Sequence, residues 1–213
     1  MSARALAVHR GYHGRACLRS VPETVVAGRH QTTASVDEIM AQKLRVPLDF
    51  LIAALVIYFA EPATTSILIG LPIALIGASF RALAAGVIRK DSRLAISGAY
   101  ALTRNPLYLG SALLAAGFAV KSANDIAATL LLVPFILVYP TVILREEAHL
   151  ERLFPEEFRL YKAKVPRFLP RPTTAFRPAF SLDQYLANRE YNTTLGFIAA
   201  LAAFVSKWWL AAN

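Results

Sequence analysis

SGAYALTRNPLYLG, residues 97–110, is a polar interruption between two apolar runs. It holds Tyr100, Arg104, Asn105, Pro106 and Tyr108 in a chain that is 56% hydrophobic and only 17% charged. Asn105 precedes a proline and is biased away from helical angles. Pro106 suits the first turn of a helix, where its missing N–H costs nothing. The helix it opens, Leu107 to Val120, is almost wholly apolar. The stretch therefore reads as a loop at a membrane edge that feeds a membrane helix. Polar groups set against a bilayer are expensive and usually functional.

Working outward, the apolar residues come in blocks. A soluble domain carries nearer a quarter charged residues, and the mean hydropathy here is +0.45. Five runs stand out: Val46–Ala60, Thr64–Phe80, Leu107–Val120, Ile126–Leu144 and Thr193–Leu210. They predict an all-α, multi-pass integral membrane protein with about five transmembrane helices. The first run has 15 residues, short against the usual ~20, and Glu61-Pro62 closes it. In the second, Gly70 and Ala74 have the small-residue spacing that permits close helix contact, and Arg81 can snorkel from its end. Lys121 to Asp125 reads as a tight polar turn, with Asn124 or Asp125 capping the next helix. Pro134 and Pro140 should kink that helix and free backbone carbonyls. Lys207-Trp208-Trp209 reads as an interfacial anchor.

The chain divides into three regions. Residues 1–34 are Arg-rich, with Glu23 as the only acid, and cannot bury a core. A disordered basic tail is the plain reading; a transit peptide and an over-extended gene start, with Met40 as the only other methionine, are the alternatives, and no apolar core follows the arginines as in a secretory signal. Residues 35–45 read as an interfacial helix capped by Ser35 with Glu38. Residues 46–213 form the membrane domain, with a core at about 78–170 and an extra C-terminal membrane helix at 193–210.

The net charge of +9 has a membrane explanation. In the five-pass arrangement 21 of the 23 basic residues fall on one side, and only Lys121 and Lys207 on the other. The positive-inside rule then puts the N-terminus and residues 97–110 on the cytoplasmic face, and the membrane is expected to be a bacterial inner membrane. No solvated basic face interleaved with aromatics is present, so nucleic acid is excluded as a partner. Cys17 is the only cysteine, which leaves no disulfide framework and no cysteine-based zinc site.

The third and fourth runs form a hairpin whose cytoplasmic ends meet. Tyr100, Arg104, Asn105 and Tyr108 come from one side, and Arg145, Glu146 and Glu147 from the other. Glu147, Leu150, Glu151 and Phe154 have helical spacing. Tyr161 and Val165-Pro166-Arg167 can fold back as a lid. Each feature has a plainer reading. Arg104 can contact lipid phosphates, the acidic pair can sit opposite Arg145 or Arg152, and the tyrosines can belong to an interfacial belt. Glu146-x-x-His149 imitates half of a di-iron site, but such sites need a second copy, so no metal is expected. Joint occurrence at one membrane edge favours function.

The order R-N-P-L-Y-L-G, a proline-bearing helix ending in E-E, then Y-x-x-x-V-P-R-x-x-P resembles the isoprenylcysteine carboxyl methyltransferase and phospholipid methyltransferase superfamily. The likeness covers about Ala78 to Pro170. It implies S-adenosylmethionine as cofactor and a lipophilic methyl acceptor drawn from the membrane lipid. By the same likeness Arg104, Asn105, Tyr108 and Gly110 match one motif of the site, Glu146 and Glu147 its acidic pair, and Tyr161, Pro166 and Arg167 its C-terminal motif. Arg104 then suits the donor's carboxylate, Glu147 its hydroxyls and ammonium, and the face of Tyr108 its sulfonium. Gly110 lets the cofactor approach the backbone, Tyr100 completes the wall, and Arg167 holds an anionic acceptor in line. Many members carry His where this chain has Asn105, and an amide does not titrate. Membrane sterol and steroid reductases that use NADPH resemble part of the same pattern, and a non-enzymatic membrane module of the same fold is a third reading. The acceptor's identity and the oligomeric state are left open by the sequence.

Overall fold

The computed structural model describes residues 36–89, 92–174 and 176–212, with side chains from residue 47 onward. The basic tail and the Ser35–Glu38 capping box lie outside the described residues. Met1–Met40 and Ala41–Asn213 are separate units, and the candidate site lies wholly in the second.

The described residues are helical and contain no strand. The helices are α1 Val36–Phe59, α2 Thr64–Ala85, α3 Pro106–Ser122, α4 Asp125–Leu153, α5 Pro155–Lys164, α6 Leu182–Ala187 and α7 Tyr191–Ala212. A short 3-10 turn, Gly98–Ala101, precedes α3. Three of them, α2, α4 and α7, are long and apolar enough to cross a membrane. The chain is thus an all-α membrane protein, with three such helices among the described residues where five membrane runs were expected. The other two runs are shorter. α3 has 17 residues, about 26 Å at 1.5 Å per residue, and the apolar part of α1 is Pro47–Phe59. The expected surface helix and first membrane run are one continuous α1 with Pro47 inside it. That boundary was read from a change in hydropathy, which does not by itself interrupt a backbone helix.

Small residues set the α2–α3 contact. A Cβ built on Gly70 would lie 2.4 Å from the Gly117 carbonyl, and one on Gly117 would lie 2.5 Å from the Ala74 nitrogen. Gly77 and Gly110 face each other in the same way: a Cβ on either would lie 2.7 Å from the other's carbonyl oxygen. Side chains there would force the two backbones apart, so these glycines allow close packing. The α3–α4 turn takes two residues. Ala123 ends α3 with φ 47°, and the Asn124 side chain accepts hydrogen bonds from the Ile126 and Ala127 N–H groups. This satisfies orphan donors at the start of α4. α4 then continues through Pro134 and Pro140 for 29 residues, carrying the acidic pair out of the apolar region.

Lys121 was expected in a polar turn, but it belongs to α3 and is fully buried. Its stem passes over Gly70, and its ammonium stands 3.6 Å from the centre of the Phe118 ring, with Phe197 and Phe204 of α7 at 5.6 and 5.8 Å. No hydrogen-bond partner meets this ammonium among the described residues. An unpaired buried ammonium costs several kcal/mol, whereas a desolvated cation–π contact returns about 2 kcal/mol. Lys121→Met, which keeps the stem and removes the charge, is therefore expected to raise the melting temperature in detergent. Lys121→Ala, which empties the space, should lower it. A Met variant that melts below the wild type would show that the three rings hold the cation more strongly than this balance allows.

Candidate active site

The segment after α5 is laid back over the stretch before α3, running in the opposite direction. Arg104 N–H donates to the Pro166 carbonyl at 2.9 Å, Arg171 N–H to Leu102 at 2.9 Å, Gly98 N–H to Arg177 at 3.1 Å and Ser181 N–H to Gly86 at 3.0 Å. The Thr103 hydroxyl, fully buried, reaches the carbonyls of Arg167 and Phe168 at 3.2 and 2.9 Å. Tyr161 of α5 donates its phenol to the Tyr100 carbonyl at 2.7 Å. The strap thus fixes the Arg104–Asn105 loop on one side, and Glu147 of α4 meets it on another.

Between these layers lies a cavity of about 280 Å³. Tyr100, Arg104 and Asn105 wall it on one side, Glu146 and Glu147 of α4 on another, and Phe158 and Tyr161 of α5 on a third. Arg89, Arg93 and His149, which the sequence did not single out for the site, also line it. Tyr108, Gly110 and Arg167 do not.

Glu147 is the hub. Its side chain is 7% exposed, and it meets Arg104 Nε at 3.2 Å and Arg167 Nε at 3.1 Å. Asn105 donates one amide hydrogen bond to Glu147 Oε1 at 3.2 Å and another to the Arg167 carbonyl at 2.9 Å. Both amide hydrogens of Asn105 are thereby spent, and the group left to it is a carbonyl acceptor. Glu146, one residue earlier, points elsewhere: Tyr108 donates to its Oε2 at 2.7 Å. Tyr108 therefore reaches the cavity through Glu146, and its ring meets Tyr139 edge-on at 5.4 Å.

Two of the three nitrogens of Arg104 make no hydrogen bond to the protein among the described residues. They are Nε and Nη1, on a side chain that is only 7% exposed. The approach to Glu147 is a charge contact without hydrogen-bond alignment. Burial raises the phenol of Tyr100 well above its ordinary range, helped by the Glu146 charge. Burial raises that of Tyr161 too, against the pull of Arg104. Both are therefore neutral walls at any ordinary pH.

Gly110 has a different place from the one the resemblance implied. A Cβ there would meet Arg81 Cγ at 2.6 Å and the Gly77 carbonyl at 2.7 Å, both on α2. It serves helix packing, because its bare side is turned to α2 and away from the cavity.

Arg167 borders a second space. An apolar groove of about 350 Å³ runs along α4, lined by Phe135, Tyr139, Ile143 and their neighbours, with Arg167 and Phe168 beside it. Phe135 and Tyr139 stack there with ring centres 4.1 Å apart. The Glu147–Arg167 ion pair is the link between the polar cavity and this groove. Among the described residues no group of three or more His, Cys, Asp or Glu side chains could hold a metal.

A helical membrane protein with a polar cavity at one end of its helices is the class these features define. Residues 63–157 match the phospholipid methyltransferase family model. The cobalt-zinc-cadmium resistance protein CzcN of Cupriavidus metallidurans is 37% identical over 83 residues, 39% of this chain and 38% of that protein. The nickel-cobalt-cadmium resistance protein NccN of Alcaligenes xylosoxydans xylosoxydans is 36% identical over 83 residues, 39% of this chain and 38% of that one. A protein-S-isoprenylcysteine O-methyltransferase of Schizosaccharomyces pombe is 31% identical over 94 residues, 44% of this chain and 40% of that enzyme. The chain spans about two fifths of the length of the curated relatives it matches. No solved structure matches it significantly. Over this region the chain is similar to the isoprenylcysteine carboxyl methyltransferase and phospholipid methyltransferase superfamily.

Proposed function

We propose that the chain is an S-adenosylmethionine-dependent methyltransferase of the membrane that acts on a lipophilic acceptor. The observation that carries this reading is Arg104: a buried guanidinium on the cavity wall with two nitrogens that no acceptor among the described residues satisfies. Unsatisfied buried donors are rare and costly, and a planar fork suits a carboxylate such as the donor's. The rest of the cavity fits the same molecule. Glu146 and Glu147 suit its hydroxyls and ammonium, and Tyr100, Phe158 and Tyr161 supply neutral aromatic walls.

When bound, the donor supplies an electrophilic methyl group on a sulfonium. The chain's own residues then have modest work to do. Asn105 has no proton left to give, so it positions Glu147 and the strap and does not act as a general acid. A lipophilic acceptor reaches the site along the apolar groove of α4, and Arg167 at its edge holds an anionic head. The strap and α5 keep water from the transfer. Alignment and exclusion of water can provide most of the rate when the acceptor is already ionised. The site faces the cytoplasm, as the distribution of basic residues implies. Its partners are the acceptor and membrane lipid, and nucleic acid has no place in it.

Titration of labelled S-adenosylmethionine into detergent-purified protein tests the reading. Saturable binding that Arg104→Ala abolishes is expected. Binding of NADPH in its place would point to a reductase, and binding of neither to a non-enzymatic module.

A further inference from the structure

Arg81 and Glu190 lie 109 residues apart and form the most fully connected ion pair among the described residues. Arg81 is on the last turns of α2, and Glu190 immediately precedes α7. Arg81 Nε donates to Glu190 Oε1 at 2.7 Å and Nη2 to Oε2 at 3.0 Å, two parallel bonds of a bidentate pair. Nη2 also reaches the Thr193 hydroxyl on α7 at 3.2 Å. The third nitrogen, Nη1, turns to α3, where it meets the Ser111 hydroxyl and the Leu107 carbonyl. Ser111 itself donates to that carbonyl at 3.0 Å. The side chains of Arg81 and Glu190 are 21% and 10% exposed, so the pair is largely shielded from water.

Leu107 stands between Pro106 and Tyr108 and packs against the cluster of Ala84, Val87, Ala99 and Tyr100. One guanidinium thus connects the start of α7 to the first turn of α3, the turn that carries Tyr108 and follows Arg104 and Asn105. The Arg81 charge is also felt at Tyr100 on the cavity wall. α7 lies beyond the family match, which ends at residue 157.

We infer that Glu190 is a positioning residue of the cavity: it orients Arg81, which holds the first turn of α3 and so the loop that presents Arg104. The C-terminal helix is then part of the site's support as well as a membrane anchor. The alternative is that the pair only fastens α7 to α2. A second attachment of α7 separates the two. Lys207, at the far end, donates to the carbonyls of Ile57 and Tyr58, which end α1 and are remote from α3's first turn.

The inference rests on the proposed donor site, so two readouts are taken on full-length protein in detergent. The first is hydrogen exchange of residues 98–112 in ligand-free protein. The second is the affinity for S-adenosylhomocysteine by calorimetry. Glu190→Gln is expected to speed exchange of that segment and to raise the dissociation constant by about tenfold, as a coupling through a positioning contact allows. Glu190→Asp should recover part of both effects. Lys207→Met should lower the melting temperature while leaving exchange of 98–112 unchanged and affinity within about twofold. Equal exchange in wild type and Glu190→Gln, or equal changes in Glu190→Gln and Lys207→Met, overturns the inference. Wild-type protein that binds no ligand overturns the donor site instead, and the exchange experiment still decides the role of Glu190.

Discussion

Glu147→Gln is expected to destabilise the protein by about 3–5 kcal/mol, the cost of breaking a buried ion pair by removing one partner. The substitution keeps the size of the side chain and an oxygen for the Asn105 amide. It removes the negative charge that faces Arg104 at 3.2 Å and Arg167 at 3.1 Å. Arg167 is half exposed and can turn to water. Arg104, 7% exposed, cannot, and it is left as a buried cation without its counter-charge. Glu151→Gln is the matched control. Glu151 is exposed and meets Lys162 at 3.7 Å on the surface, an arrangement worth at most about 1 kcal/mol. Thermal unfolding in one detergent should therefore separate the two variants by on the order of 10 °C. Donor affinity should fall with Glu147→Gln and stay with Glu151→Gln. Similar melting of the two variants would mean that Glu147 is not the hub the geometry describes.

The features that local rules govern were legible in the sequence. Thr64 begins α2 as the hydropathy suggested, Pro106 takes the first position of α3, and Asn124 caps α4, because each depends on a few neighbouring residues. That Tyr161 and Val165-Pro166-Arg167 fold back was read from the residues themselves. The antiparallel path of the strap was not, since backbone hydrogen bonds between irregular segments leave no periodic trace. Adjacent glutamates looked equivalent, yet successive residues on a helix point about 100° apart. Glu146 meets Tyr108 while Glu147 meets Arg104, Asn105 and Arg167. Gly110 shows the same limit from the other side: a bare Cα in a motif reads identically whether a ligand or a helix approaches it. Lys121 looked like part of a turn because charge suggests water, and two of the three phenylalanines around it, Phe197 and Phe204, come from α7, far away in sequence. Arg81 and Glu190 belong to segments that no spacing rule connects.

Arg104→Lys should raise the apparent dissociation constant for the donor by about tenfold or more, a loss of ~1.4 kcal/mol. The folded yield should barely change. Lysine keeps the positive charge beside Glu147, so the buried pair is not broken. What it loses is the planar fork, and with it the two parallel hydrogen bonds that a carboxylate can accept from one guanidinium. Arg104 Nε and Nη1 make no hydrogen bond to the protein among the described residues, so the guanidinium has donors left for a ligand. An arginine kept only to touch lipid phosphates needs its charge alone, and lysine would serve it as well. The loop itself should survive, since its place depends on the Arg104 backbone N–H bonded to Pro166 and on Thr103, which the substitution leaves intact. Calorimetric titration of S-adenosylmethionine into the wild type and the lysine variant decides the matter. Equal affinity in the two, with loss of membrane insertion in Arg104→Ala, would assign Arg104 to the lipid headgroups and dissolve the donor site drawn around it.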